Sequence, residues 1–377
     1  MLNCSYILHY LLLMKYLSGL LCVLLFISCE GKNASFSMPG EQEPSYNLLS
    51  RKDQANHVMI PSKVDWLNTN DEVEQFIHEA DTNFRNFYLR PLKDLDMYGD
   101  KDDGDSIFSS LVDKYKIDKN FYKTDIDNNG YTDMLVMGRW EYPLHGYANK
   151  KHISDSYIIM NYGHKLVKFL RVSRQSSLPV LRKMNGKIFL DLHRPVKDYD
   201  YSGSGVKVAR DSVTVLQWAS IGFAEYNPAP KDYKIEIIQF KSGPCFGSCP
   251  VYEFTIRNDG SALFYADQHN FPNEYYTCRE NTVYSSSISH NDLSSMIYFL
   301  NYLDFPTLEQ RYSTSGSDMA TVVLSITYDN GKVKTIGDYG CSGTYGLRTL
   351  YTFMQELRFN QNWKEITNPK EVRMKGY

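Results

Sequence analysis

The chain has 377 residues, a formal net charge of −3, 42% hydrophobic and 23% charged residues. That balance leaves no basic footprint for nucleic acid or for acidic lipid, so nucleic acid is excluded as a partner on electrostatic grounds. It describes an ordinary globular chain, long enough for two domains of usual size. Thirty tyrosines suit half-buried sheet faces, and also sugar, peptide or protein contact surfaces.

Residues 14–29 read MKYLSGLLCVLLFISC. Lys15 supplies a positive start, the stretch from Tyr16 to Ile27 is nearly all apolar, and the small Ser28 stands before Cys29. This is the order of an export signal, and it is too short to span a bilayer comfortably. It resembles the lipobox of bacterial lipoproteins, although Phe26 and Ile27 depart from the Leu-Ala-Gly form. The resemblance implies removal of residues 1–28, lipidation (palmitate) at Cys29, and a place in the cell envelope, on the outer membrane of a Gram-negative bacterium facing the periplasm or the surface. Met14 is the expected true start, because Met-Lys before an apolar run is the cleaner signal. A plain transmembrane anchor is the alternative if residues 6–13 lengthen the run.

Residues 29–60 are polar and contain Pro and Gly, as expected of a flexible tether. Thr69 and Glu72 form a capping box, and Val73, Phe76, Ile77, Ala80, Phe84 and Phe87 fall on one helical face, so a helix is expected up to Pro91. A shorter helix is expected over 106–115. Short apolar or alternating runs then predict strands at 134–137, 157–160, 165–172, 187–192 and 213–218, with a polar loop at 198–205. Two prolines at 228 and 230 mark a linker over 227–232.

Beyond it, Tyr252, Phe254 and Ile256 alternate with polar residues, Asn258-Asp259-Gly260 turns the chain, and 262–265 return. A helix follows, capped by Ser289. Val322, Leu324, Ile326 and Tyr328 alternate in the same way, Asn330-Gly331 is a strong hairpin signal, and a last helix presents Leu347, Leu350, Tyr351, Met354 and Leu357. The expected fold is α+β with two domains, an N-terminal one over 61–226 and a C-terminal one over 233–366. The second is expected as an antiparallel sheet with two helices on one face (strand-hairpin-helix repeated), followed by a tail at 367–377.

Four cysteines lie beyond the signal and Cys29, namely Cys245, Cys249, Cys278 and Cys341. An even number in an oxidising compartment points to disulfides, with three pairings open. The stretch Pro244-Cys-Phe-Gly-Ser-Cys249-Pro250 admits two sharper readings. One is a copper site, in which soft thiolates would be joined by His269 or His290; the other is a redox dithiol.

The stretch Asp125-Ile-Asp127-Asn-Asn129-Gly-Tyr131-Thr-Asp133 sets oxygen ligands at alternate positions, with Gly130 at the sixth. That spacing lets a chain wrap calcium through Asp125, Asp127, Asn129, the Tyr131 carbonyl and Asp133. It lacks the glutamate of an EF-hand and looks like the aspartate loop of integrin-type propeller repeats, in a single copy. A metal-free turn rich in Asp and Asn is the alternative. Asp318 stands alone, residues 100–105 read as a solvated acidic loop, and the sequence holds no nucleophile elbow or phosphate-binding loop.

The segment from Tyr233 to Trp363 resembles a domain-of-unknown-function family of secreted bacterial lipoproteins, with a Cys-Phe-Gly-x-Cys-Pro-x-Tyr hallmark. The matched positions are Cys245, Gly247, Cys249, Pro250, Tyr252, Gly260, Asp318 and Gly331. The resemblance implies a compact α+β domain at the envelope and brings no activity. The expected function is therefore a membrane-anchored lipoprotein that binds or scaffolds envelope proteins, peptides or glycans and is not an enzyme. An envelope thiol redox or copper protein using Cys245 and Cys249 is the alternative.

Overall fold

The computed structural model describes residues 35–36, 58–92, 95, 111–142, 151–164, 166–174, 177–200, 205–271 and 278–367. The expected signal, Cys29, the acidic loop at 100–105 and all but the first residue of the tail lie outside them. Among the described residues no helix is long and apolar enough to cross a membrane.

The protein is built mostly of antiparallel sheet with few helices. Helix α1 (Asn70–Ala80) starts as the sequence requires, with Thr69 Oγ1 accepting from the Glu72 amide and Glu72 reaching back to the Thr69 amide. It ends at Ala80, not near Pro91. Asp81 caps a 3-10 turn over Thr82–Phe84, and Phe87 opens strand β2 (Phe87–Tyr88). Phe84 and Phe87 still join Val73, Phe76 and Ile77 in one core, so packing around the turn satisfied a spacing that resembled a longer helix. Of the expected second helix, residues 111–114 are helical and 106–110 lie outside the described residues.

β2 belongs to a sheet with β3 (Phe121–Thr124), β4 (Asp133–Tyr142), β5 (Lys151–Asn161) and β6 (Val167–Arg174). A second sheet runs in the order β10 (Gly222–Glu225), β9 (Gly205–Ala219), β8 (Lys187–Asp200), β7 (Leu178–Met184). β8 continues through Asp200 and β9 begins at Gly205, which shortens the loop expected over 198–205. β7 carries Pro179 at the sheet edge, where a missing backbone N–H costs no ladder bond.

The third sheet holds most of the C-terminal half. Its order is β1 (Ser35–Phe36), β18 (Trp363–Glu365), β14 (Thr282–Ser287), β13 (Ser261–Gln268), β12 (Val251–Arg257), β11 (Ile235–Ser242), β16 (Thr321–Tyr328), β17 (Lys332–Tyr339) and β15 (Arg311–Ser313). The expected antiparallel sheet is corrected at one edge, where β15 pairs with β17 in parallel. Ser35 and Phe36, inside the stretch expected to be a tether, pair with Lys364 and Trp363. Tyr252, Phe254 and Ile256 of β12 and Val322, Leu324 and Ile326 of β16 alternate inward as their period demands. They meet α2 (His290–Tyr302, capped by Ser289) and α3 (Tyr345–Asn360, capped by Thr344) in the main core. Gly260 (φ +84°) and Gly331 (φ +86°) take the left-handed conformation of the two hairpin turns.

The two halves touch. Ala219, Ile221 and Ala224 enter the main core. In the stretch expected as a linker, the Asn227 amide donates to Tyr302 Oη at 3.1 Å and its side chain to the Tyr302 carbonyl at 2.8 Å. Glu225 receives the Tyr345 and Gly346 amides at 2.5 and 3.0 Å, at the start of α3.

Candidate metal centre

The turn at residues 125–133 joins β3 to β4, and its backbone folds around carboxylates. The Gly130 amide donates to Asp125 Oδ2 at 2.9 Å, and the Asn129 amide reaches both Asp125 Oδ1 and Asp127 Oδ1 at 3.2 and 3.1 Å. Asn128 (φ +59°) and Gly130 (φ +92°) supply the left-handed steps that curl the chain, and the Gly130 carbonyl accepts from Ile60 N at 2.8 Å. Asp133 heads β4 and is fully buried, with the Ile126 and Asn161 amides at 2.7 and 2.8 Å on its two oxygens.

This arrangement brings one oxygen each of Asp125, Asp127 and Asp133 within 4.8 Å of one another. Asn129 and Tyr131, the other two expected ligands, stand in the same turn. Asn129 uses its side chain on the loop, its Oδ1 accepting from Tyr131 N at 2.7 Å and its Nδ2 donating to Asp127 Oδ2 and the Asn161 carbonyl at 3.2 and 2.9 Å. Tyr131 gives the turn its amide, and its ring lies where a Cβ at Gly163 would fall.

Burial and crowding raise the proton affinity of Asp127 and Asp133. Burial, then the Asp125 charge, pushes Asp127 up to about 7. Burial, then the Asp127 charge, lifts Asp133 well above the carboxylate range. A divalent cation would neutralise the same repulsion without protons, and hard carboxylate oxygens match calcium.

Sequence reasoning missed Asn161, which comes from β5. Its amide donates to Asp133, its carbonyl accepts from Asn129 Nδ2, and its side chain donates to the Thr132 carbonyl and to Ser62 Oγ. Asp65, which accepts from Thr132 Oγ1 at 2.5 Å, was missed as well. Both lie far along the chain, where no local spacing could announce them.

The cysteines sit at one end of the large sheet. Cys245 and Cys249 are bonded to each other and close the loop between β11 and β12. Among the described residues, the acidic triad is the only group of three or more His, Cys, Asp or Glu ligands within mutual reach, so His269 and His290 do not complete a copper set. Cys278 and Cys341 are half-buried at the margin of the main core. Burial, then the Asp338 charge, raises the Cys341 thiol above its ordinary value.

Asp318 is exposed, with φ +63°, and its carbonyl accepts from Phe246 N at 3.2 Å, the role of a turn residue. Arg358 was not singled out from sequence. It is 3% exposed, lies 4.9 Å from the Tyr252 ring and donates to the Asn270 carbonyl at 3.1 Å, bracing this end of the sheet from inside.

Residues 236–358 match the family model described as a domain of unknown function (DUF6438). No curated protein matches the chain, and no solved structure matches it.

Proposed function

We propose that the protein is a lipoprotein of the cell envelope, anchored through Cys29, which acts by binding or scaffolding and carries a calcium ion in its N-terminal half. The observation that carries the binding role is the bridge between Cys245 and Cys249. It closes a short loop on which Phe246 stands 87% exposed, so the bridge displays an apolar ring and serves no visible chemistry. A bridge of this kind also fits an oxidising compartment. The copper reading draws less support, because two sulfurs bonded to each other offer no thiolate, whereas a redox pair would pass through this same bonded state. Capture of glycans or peptides by tyrosines is also weaker, since the exposed Tyr and Trp rings among the described residues are Trp66, Tyr226 and Tyr298. The proposed division between the halves is at residues 227–232.

The calcium reading is supported by the three carboxylates converging within 4.8 Å and by the raised proton affinity of Asp127 and Asp133. Asp125, Asp127 and Asp133 would hold the ion.

Intact mass spectrometry of material from its native host, before and after reduction, tests the reading. Acyl mass on a chain beginning at Cys29, with one bridge opened by reductant, is the expected result. An unacylated chain beginning at residue 1 or 14, with every thiol already reduced, would overturn it.

A further inference from the structure

The large sheet has two unlike ends. At one, the hairpin turns at Gly260 and Gly331 close β12 to β13 and β16 to β17. At the other lie the bridged loop after Ser242 and the segment before Thr321. These two pieces brace each other, with Gly243 N on the Thr321 carbonyl at 2.8 Å and Phe246 N on the Asp318 carbonyl at 3.2 Å. Together they present Phe246 (87% exposed) and Met319 (44% exposed) to solvent, beside the exposed Pro244. Around it Lys241 pairs with Glu253 and Arg279 with Glu365, while Asp318 adds one exposed carboxyl group beside Met319. An apolar tip that carries one acid and no cation of its own fits a zwitterionic surface better than an anionic one.

The path of the N-terminal segment says which surface. Ser35 pairs with Lys364 and Phe36 with Trp363, while Lys364 pairs with Ser285 and Glu365 with Tyr284. Strand direction therefore carries the chain from Phe36 back through Ser35 toward the end that bears Phe246. Across the sheet, Ser285, Leu263, Thr255 and Gln239 lie in register, so Ser35 is level with a residue shortly before the bridged loop. Cys29 precedes Ser35 by six positions. Six residues reach at most about 20 Å, enough to bring Cys29 level with the tip. Four strand spacings separate β1 from β12, about 19 Å sideways.

We infer that the Phe246–Met319 tip is a membrane-docking surface, which rests on the phospholipid leaflet holding the lipid at Cys29 and fixes how the protein stands on it. This inference rests on the lipid-anchor reading. The acyl group supplies attachment, and the tip supplies a second contact that resists rotation about the tether.

The test uses the full acylated chain in vesicles of phosphatidylcholine brominated on the acyl chains, with Phe246→Trp and Val333→Trp compared against the parent. Val333 is exposed near the Gly331 turn, at the far end of the sheet. The expected result is that Phe246→Trp loses most of its added emission to bromine, while Val333→Trp loses almost none. Phe246→Trp emission untouched by bromine, in a chain that floats with the vesicles, overturns the docking surface and leaves the anchor standing. Emission that follows protein concentration and not lipid assigns the tip to a second copy of the chain, which also overturns it. A chain that stays in solution overturns the anchor, and this surface with it.

Discussion

The turn at residues 125–133 and the loop at residues 244–250 each carry the marks of a site, and they keep their shapes by opposite means. The first is held by backbone amides pointing into carboxylates, and its three acidic groups converge with one buried and two half-buried. The second is closed by a covalent bond and turns its one large ring outward. A shape built on repelling charges depends on what neutralises them, whereas a shape built on a bridge depends only on oxidation. The first is therefore expected to respond to ions and pH, and the second to reductant.

The largest expected effect is at Asp133. Removing the carboxylate in Asp133→Ala leaves the Ile126 and Asn161 amides without their acceptor, and should cost about 2–5 kcal/mol in urea unfolding. A loss under about 1 kcal/mol would show that the turn does not depend on those amides. Replacing both Cys245 and Cys249 by Ser should cost about 2 kcal/mol, the loop-closure value for so short a ring, and should leave calcium affinity unchanged. A change in calcium affinity would mean that the two regions are coupled.

Calcium at ten times its dissociation constant should stabilise the chain by about 1.4 kcal/mol, read as a higher melting temperature than in chelator, and Asp127→Asn should remove most of that gain. The sign with pH follows from Asp127. Its folded value of about 7 lies above an unfolded value near 3.9, so the metal-free turn contributes most in acid and loses that contribution as pH rises through 7. Calcium should show the reverse slope, since protons compete for the same oxygens. Equal calcium stabilisation at pH 5 and pH 8 would remove the acidic triad as the site. The smallest effect is at Phe246→Ser, within about 0.5 kcal/mol, because the ring touches little of the fold.

What could be read from sequence divides by the range of the forces involved. The caps at Thr69 and Ser289, the hairpin glycines and the inward alternation in β12 and β16 are local, and each was legible. Lost were the features decided by distant chain. Phe84 and Phe87 sit at helical spacing, yet they pack from a 3-10 turn and a strand. Short strands such as β10 and β18 take their conformation from partners and carry little pattern of their own. In the candidate site the carboxylates stood out by spacing, whereas Asn161, which ties Asp133 to Asn129 and Thr132, arrives from another strand.

The carboxylate of Glu225 shows how inheritance and architecture diverge. It receives the first amides of α3, and β10 lies so close to that helix that a methyl group at Gly346 would meet Leu303 and Ala224. The region matched to the family begins at residue 236, downstream of this contact. A fragment cut at the matched boundary would inherit α3 without the anion that satisfies its first turn. In such a fragment water would have to take those amides, so the upstream half serves a helix that the family match places downstream.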